Sequence, residues 1–223
     1  MGFSFHLYWD LVSPAREVAV TIEVLEPPSV DRLYFWALQA SFHDRFGPRG
    51  AGHLGLQWNP RFPQHTAVNW GGYDIEGPVL PGSGSSLSSA PGDPNTRDFP
   101  WLPRRRYRLR IFSSPDIGWR GEVTDVETGV ATVVRDLHVG GDHLGRVMMW
   151  SELFCQCSDP RSVVGWSEPA AIGLNEEALV PNGLRVNYQA DGCLNTNVYT
   201  DGHRVCQATG SERVTSQGST MIL

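Results

Sequence analysis

The sequence predicts an all-β protein, a two-sheet antiparallel β-sandwich. Three observations carry that prediction. Apolar and polar residues alternate with a period of two through most of the chain. The alternating runs are short and separated by turn chemistry: Glu-Pro-Pro, Gly-Pro-Arg-Gly, Glu-Thr-Gly, Gly-Gly-Asp and Asp-Gly. No long segment has a 3.6-residue apolar rhythm. Ser29 to Arg32 and Asn175 to Leu179 offer one helical turn each at most.

Taken in order, FSFHLYW places Phe3, Phe5, Leu7 and Trp9 on one face. In EVAVTIEVLE, Val18, Val20, Ile22 and Val24 face inward. LYFWALQASFH sets Tyr34, Trp36, Leu38, Ala40 and Phe42 against Phe35, Ala37, Gln39, Ser41 and His43. HLGLQW sets Leu54, Leu56 and Trp58 against His53 and Gln57. RRRYRLRIF sets Tyr107, Leu109 and Ile111 against Arg106, Arg108 and Arg110. Further strands are expected at 119–126, 130–135, 146–154, 163–167, 184–189 and 197–206. At 223 residues the chain reads as one domain, 1–223, with a flexible Gly/Ser/Pro-rich insertion at about 76–103. Disorder is expected for its middle, 81–96, while Phe99-Pro100-Trp101 should be held by burial.

Composition excludes several classes. The formal charge of −6 disfavours a nucleic-acid partner. No apolar run is long enough for membrane insertion by a helix. The first residues lack the basic and apolar regions of a secretory signal, so a cytosolic protein or a mature secreted domain is expected. His6 at the sixth position argues against myristoylation of Met1-Gly2. All 18 basic residues are arginine, which excludes a lysine base or Schiff base. Cys155, Cys157, Cys193 and Cys206 fit either two disulfides, with three connectivities open, or free buried thiols. They lack the C-x-x-C spacing of a zinc site. The seven histidines are scattered, so no metal site or cofactor is expected. The Gly140–His143, Asp191-Gly and Asp201-Gly turns leave calcium open.

The strands GHLGLQWNP, YRLRIFSSPDIGWRGEVTDVETGVATVVRDLHV and LGRVMMWSELF, with GWSEP, resemble a bacterial family of uncharacterised jelly-roll domains. That family is similar in layout to concanavalin-like and laminin-G-like sandwiches. The Gly-x-Gln and Gly-Trp-x-Gly strands carry the resemblance, over about residues 30–210. It implies a jelly roll of the kind attached to secreted, carbohydrate-active proteins and no particular activity.

Two chemistries compete for the polar residues. GWRGEVTDVETG holds Glu122, Asp125 and Glu127 on what reads as one strand ending in a turn. Retaining glycosidases place acids on a strand at two-residue spacing, with the working pair ~5–5.5 Å apart. Here Glu122 and Asp125 are three apart and point to opposite faces unless a bulge intervenes. A solvated hairpin is therefore the preferred reading. Glu122, Asp125 and Glu152 remain the catalytic candidates for a glycoside hydrolase or polysaccharide lyase.

The preferred function is a non-catalytic module that binds carbohydrate or another polar ligand. Trp70, Tyr73 and Trp119 lie near Gly at expected strand ends, where rings could stack on a sugar. Gln39, His53, Gln57, Asn69, Arg108, Arg110 and Glu122 fall opposite the inferred core and would line one face if their strands are neighbours. A structural or assembly domain without a small ligand is the third alternative. Oligomeric state is open.

Overall fold

The computed structural model describes residues 3–90, 92–114 and 118–222. Met1 and Gly2, considered above for myristoylation, lie outside these. The described residues form sixteen strands in antiparallel pairing: β1 (Phe3–Trp9), β2 (Ala15–Glu26), β3 (Tyr34–Asp44), β4 (Gly47–Trp58), β5 (Thr66–Asp74), β6 (Thr96–Asp98), β7 (Arg106–Ser114), β8 (Gly118–Asp125), β9 (Ala131–Leu137), β10 (His143–Leu153), β11 (Ser162–Gly173), β12 (Ala178–Leu179), β13 (Leu184–Tyr188), β14 (Thr196–Asp201), β15 (Arg204–Thr209) and β16 (Thr220–Met221). A 3₁₀ turn at Pro63–His65 is the only helical element among the described residues.

Hydrogen bonding runs through all sixteen strands, but β2 and β10 meet only at Leu144 and Ala15. The sheet folds there into two layers. The first runs β16-β13-β1-β10-β3-β4-β5-β6. The second runs β14-β15-β11-β2-β7-β8-β9, with β12 on β11. This is the antiparallel sandwich that the alternation predicts. The inward residues named from that alternation form one core between the layers, from Phe5, Leu7, Val20 and Ile22 to Trp36, Leu38, Leu109 and Ile111. Burying such side chains supplies most of the driving force, about 1.5–3 kcal/mol each.

Three expectations change. NWGGYD is not a loop: it lies in β5, which pairs with β4 along its whole length. Trp70 therefore points into the core, fully buried, over Gly121 of β8, where a Cβ would come within 2.6 Å of the indole. That contact explains one glycine of the Gly-Trp-x-Gly strand. Trp119 is likewise buried and stacks on Phe42 of the facing layer with ring centres 5.3 Å apart. Neither ring can stack on a ligand. Second, 197–206 is a hairpin, β14 and β15, reversing at Asp201-Gly202. Third, the 76–103 segment carries strand β6 on β5. Trp101 is buried as expected, and its Nε1 donates to the Gln57 carbonyl at 3.0 Å.

Candidate active site

The outer face of the first layer is a groove of about 940 Å³. Strand pairing places its residues in rows. Ser4, Glu152, Phe35 and Gln57 are successive partners across β1, β10, β3 and β4. The next row is His6, Trp150, Ala37, Gly55 and Asn69. The third is Tyr8, Met148, Gln39 and His53. Ala37 and Gly55 contribute almost no side chain, so the middle row is a trench between Trp150 and Asn69. Gly55 lies so close to β3 that a Cβ would meet the Trp36 carbonyl at 1.9 Å.

Gln57 is buried, and its side chain is fixed. Its Oε1 accepts a hydrogen bond from Asn59 Nδ2 at 2.8 Å, which turns the Gln57 N–H₂ away from that partner. Asn59 is itself locked into the turn after β4. Its backbone N–H donates to the His65 carbonyl at 2.6 Å, and its Oδ1 accepts from the Arg61 N–H at 3.1 Å. Asn69 donates through Nδ2 to Thr96 Oγ1 at 2.9 Å, while its buried Oδ1 has no partner among the described residues. Gln39 Oε1 accepts from Trp150 Nε1 at 3.0 Å and so sets the angle of that indole.

Glu152 stands two strands from Gln57, about 10 Å between backbones. Its partner on β3 is Phe35, part of a small apolar cluster with Ala37, Met148, Trp150 and Tyr8. Burial beside these groups pushes the Glu152 carboxyl above its ordinary range. No ion pair neutralises it among the described residues. The imidazole of His53 is walled by Phe35 and Trp150, with ring centres 5.6 and 5.9 Å away, and by Tyr73. Burial pushes it down to about 4. Both groups are held toward neutrality, the environment in which an enclosed site tunes a proton-transferring group.

The groove thus gathers Gln39, His53, Gln57, Asn69, Tyr73 and Glu152. It does not gather Arg108, Arg110, Glu122 or Asp125. Those lie on the second layer, whose outer face points the opposite way, because β7 and β8 pair with β2 rather than with β4. Arg108 donates to the Glu168 carbonyl at 2.7 Å. Arg110 makes a two-pronged pair with Glu17, both bonds 2.7 Å, and lies 3.5 Å from Glu122. Asp125 closes the hairpin turn by accepting from the Glu127 and Thr128 N–H groups, and it pairs with Arg105 at 2.6 Å. The three-acid strand is the hairpin, and Glu122 and Glu152 never share a site. Asn59 and Arg146, which also line the groove, escaped sequence reasoning. Asn59 follows the last inferred residue of its strand, and Arg146 is the first residue of the strand expected at 146–154.

Cys157 and Cys193 are joined in a disulfide; Cys155 and Cys206 are free and buried. Among the described residues no three or more His, Cys, Asp or Glu side chains are placed to hold a metal ion. No described helix is long and apolar enough to cross a membrane.

No family model matches the chain, and no curated protein matches it. Solved structures do share its fold. The crystal structure of scytalido-glutamic peptidase with a peptide-based transition-state analog superposes with a TM-score of 0.52 at 11% identity. The match covers 92% of this chain and 97% of that one. A second, SCP-B of the eqolisin family of peptidases in complex with the tripeptide Ala-Ile-His, gives 0.45 at 9% identity over 92% and 96%. The first likeness fixes the fold as the β-sandwich seen in that peptidase. It also corrects the expectation of a carbohydrate partner and a carbohydrate-binding module. That peptidase holds a peptide-based analog, and the rings expected to stack on sugar at positions 70 and 119 are core.

Proposed function

We propose that the groove is the active site of a peptide-bond hydrolase in which Glu152 and Gln57 act together. The observation that carries this reading is a desolvated, unpaired carboxyl in the same row as a buried amide whose N–H₂ is oriented by Asn59. The fold shared with a glutamic peptidase supports it. Hydrolysing a peptide bond needs a group that takes a proton from water and returns one to the leaving amine. It also needs a donor for the oxygen that becomes negative. Glu152 supplies the first and the Gln57 N–H₂ the second. The trench over Ala37 and Gly55 leaves room for an extended backbone, and the unpartnered Asn69 Oδ1 offers an acceptor for its N–H. The apolar cluster beside Glu152 fits a hydrophobic side chain next to the bond cleaved. A disulfide at Cys157–Cys193 suits a protein working in an oxidising, extracytoplasmic setting.

The test is digestion of an unfolded protein between pH 3 and 7, read by mass spectrometry for new peptide termini. Cleavage by the wild type and none by Glu152→Gln is expected. Cleavage that survives in purified Glu152→Gln sinks the proposal.

A further inference from the structure

Three guanidinium groups line the groove: Arg32, Arg61 and Arg146. Arg32 pairs with Asp159 at 3.0 Å and Arg61 with Asp93 at 3.7 Å. Arg146 has no carboxylate partner among the described residues. It is held in an uncommon backbone conformation: its φ of 46° lies in the left-handed region, which a residue with a Cβ seldom adopts. The cause is a bulge in β10, where the pairing with β3 shifts between Gly145 and Met148. Alternation from Glu152 through Trp150 and Met148 carries Arg146 onto the groove face, and the bulge bends the strand there, so that Arg146 stands exposed at the rim of the groove. Ionisable neighbours on that side include His43 and His143, stacked at 5.5 Å, Asp142, which is engaged by His143 at 2.5 Å, and Asp44, which pairs with Arg49 at 2.6 Å. None of these neutralises the guanidinium. A left-handed arginine is strained, and such strain collects at functional positions.

We infer that Arg146 is a subsite for a carboxylate of the substrate, so that the groove selects acidic peptides. This rests on the peptidase reading above. The carboxylate could be an Asp or Glu side chain or a free peptide C-terminus; either fits the planar fork of an arginine. Arg146 precedes Glu152 by six residues on the same strand, roughly 20 Å if fully extended and less across the bulge. The charge recognised therefore sits several residues from the bond cleaved.

The test uses Glu152→Gln, which keeps the groove but should not cleave, and calorimetric binding of decapeptides at pH 6. A single Glu is scanned through a neutral sequence, each peptide with an amidated end, alongside a free-carboxylate version of the neutral parent. One Glu placement, or the free terminus, should bind about tenfold tighter than the amidated neutral parent. Which arm responds identifies the source of the carboxylate. The gain should vanish in Glu152→Gln/Arg146→Gln and return in part with Arg146→Lys. Equal binding of acidic and neutral peptides, or a gain that survives Arg146→Gln, overturns the subsite alone. Failure of every peptide to bind overturns both the subsite and the peptidase reading.

Discussion

The two outer faces of the sandwich are both rich in polar side chains, and they behave in opposite ways. On the second layer, charge meets charge: Arg110 with Glu17 and Glu122, Arg105 with Asp125, Arg204 with Glu23 and Asp201. On the first, Arg32 pairs with Asp159 and Arg61 with Asp93, but Glu152, Gln57, His53 and Arg146 have no charge partner among the described residues. A satisfied network needs nothing further from a ligand. A row of fixed, unsatisfied or desolvated groups has its hydrogen bonds available for one. Polarity alone therefore does not mark a site on this fold; the absence of an internal partner does.

The largest effect that can break this contrast comes from paired acid substitutions. Glu152→Gln should lower kcat/KM for a cleaved peptide by a factor on the order of 10³, as removal of a general acid–base group does. Glu122→Gln, chemically the same change on the other face, should leave kcat/KM within about twofold. If the two variants lose equal activity, the distinction between the faces fails.

Next in size is the amide pair. Gln57→Ala should cost about 10²-fold in kcat, as expected for a lost oxyanion donor. Asn59 touches only Gln57 and its own turn, so Asn59→Ala should lower kcat by roughly tenfold with KM nearly unchanged, and Asn59→Asp, which cannot donate to Oε1, should not rescue it. Steady-state kinetics on one peptide decides both.

Why the sequence discloses the sandwich but not which polar residues share a face follows from these same residues. Alternation fixes which face of a strand a side chain takes, so Gln39, His53 and Gln57 were correctly set opposite the core. It cannot fix which strands are neighbours. Arg108 and Arg110 share the alternation pattern of Gln57, yet long-range pairing of β7 with β2 turns them to the other side. Trp70 misled because Gly71 and Gly72 look like turn residues. Gly72 instead lets strands crowd, since a Cβ there would lie 2.1 Å from the Ala51 carbonyl, and Gly71 makes room for the Asn95 side chain, 2.6 Å from where its Cβ would be. Glu152 was visible as an acid on a strand, but its solitude is a tertiary fact. Arg146 continues the alternation of Glu152, Trp150 and Met148, and its want of a carboxylate partner among the described residues is likewise a tertiary fact.

Stability sharpens the comparison further. Burial raises the Glu152 pKa above its unfolded value, so ionising it opposes folding. The native state holds this proton more tightly, and stability is lost as pH rises through the native pKa. Glu152→Gln should therefore raise Tm at pH 7 relative to wild type, with the gain shrinking toward pH 3. Glu17→Gln, which breaks a partly exposed arginine pair, should instead lower stability at pH 7, by at most about 1 kcal/mol. One substitution type with opposite signs on the two faces is the expected result; thermal melts across pH measure it.

The smallest effect separates two histidines. His53 is enclosed by rings on the groove face, while His203 is exposed in the turn between β14 and β15. His53 titrates at about 4 in the folded protein against an ordinary 6.5. The unfolded chain takes up this proton first as pH falls, so the contribution of His53 is complete above 6.5 and drains away between 6.5 and 4. His53→Gln should thus cost more stability at pH 7 than at pH 4. His203→Gln should change little at either. The neutral imidazole also leaves the groove less cationic above pH 4 than its histidine content suggests. A His53 variant whose stability difference is flat from pH 7 to pH 4 would show that the ring is not desolvated, and the groove would then lose one of the features that set it apart from the paired face.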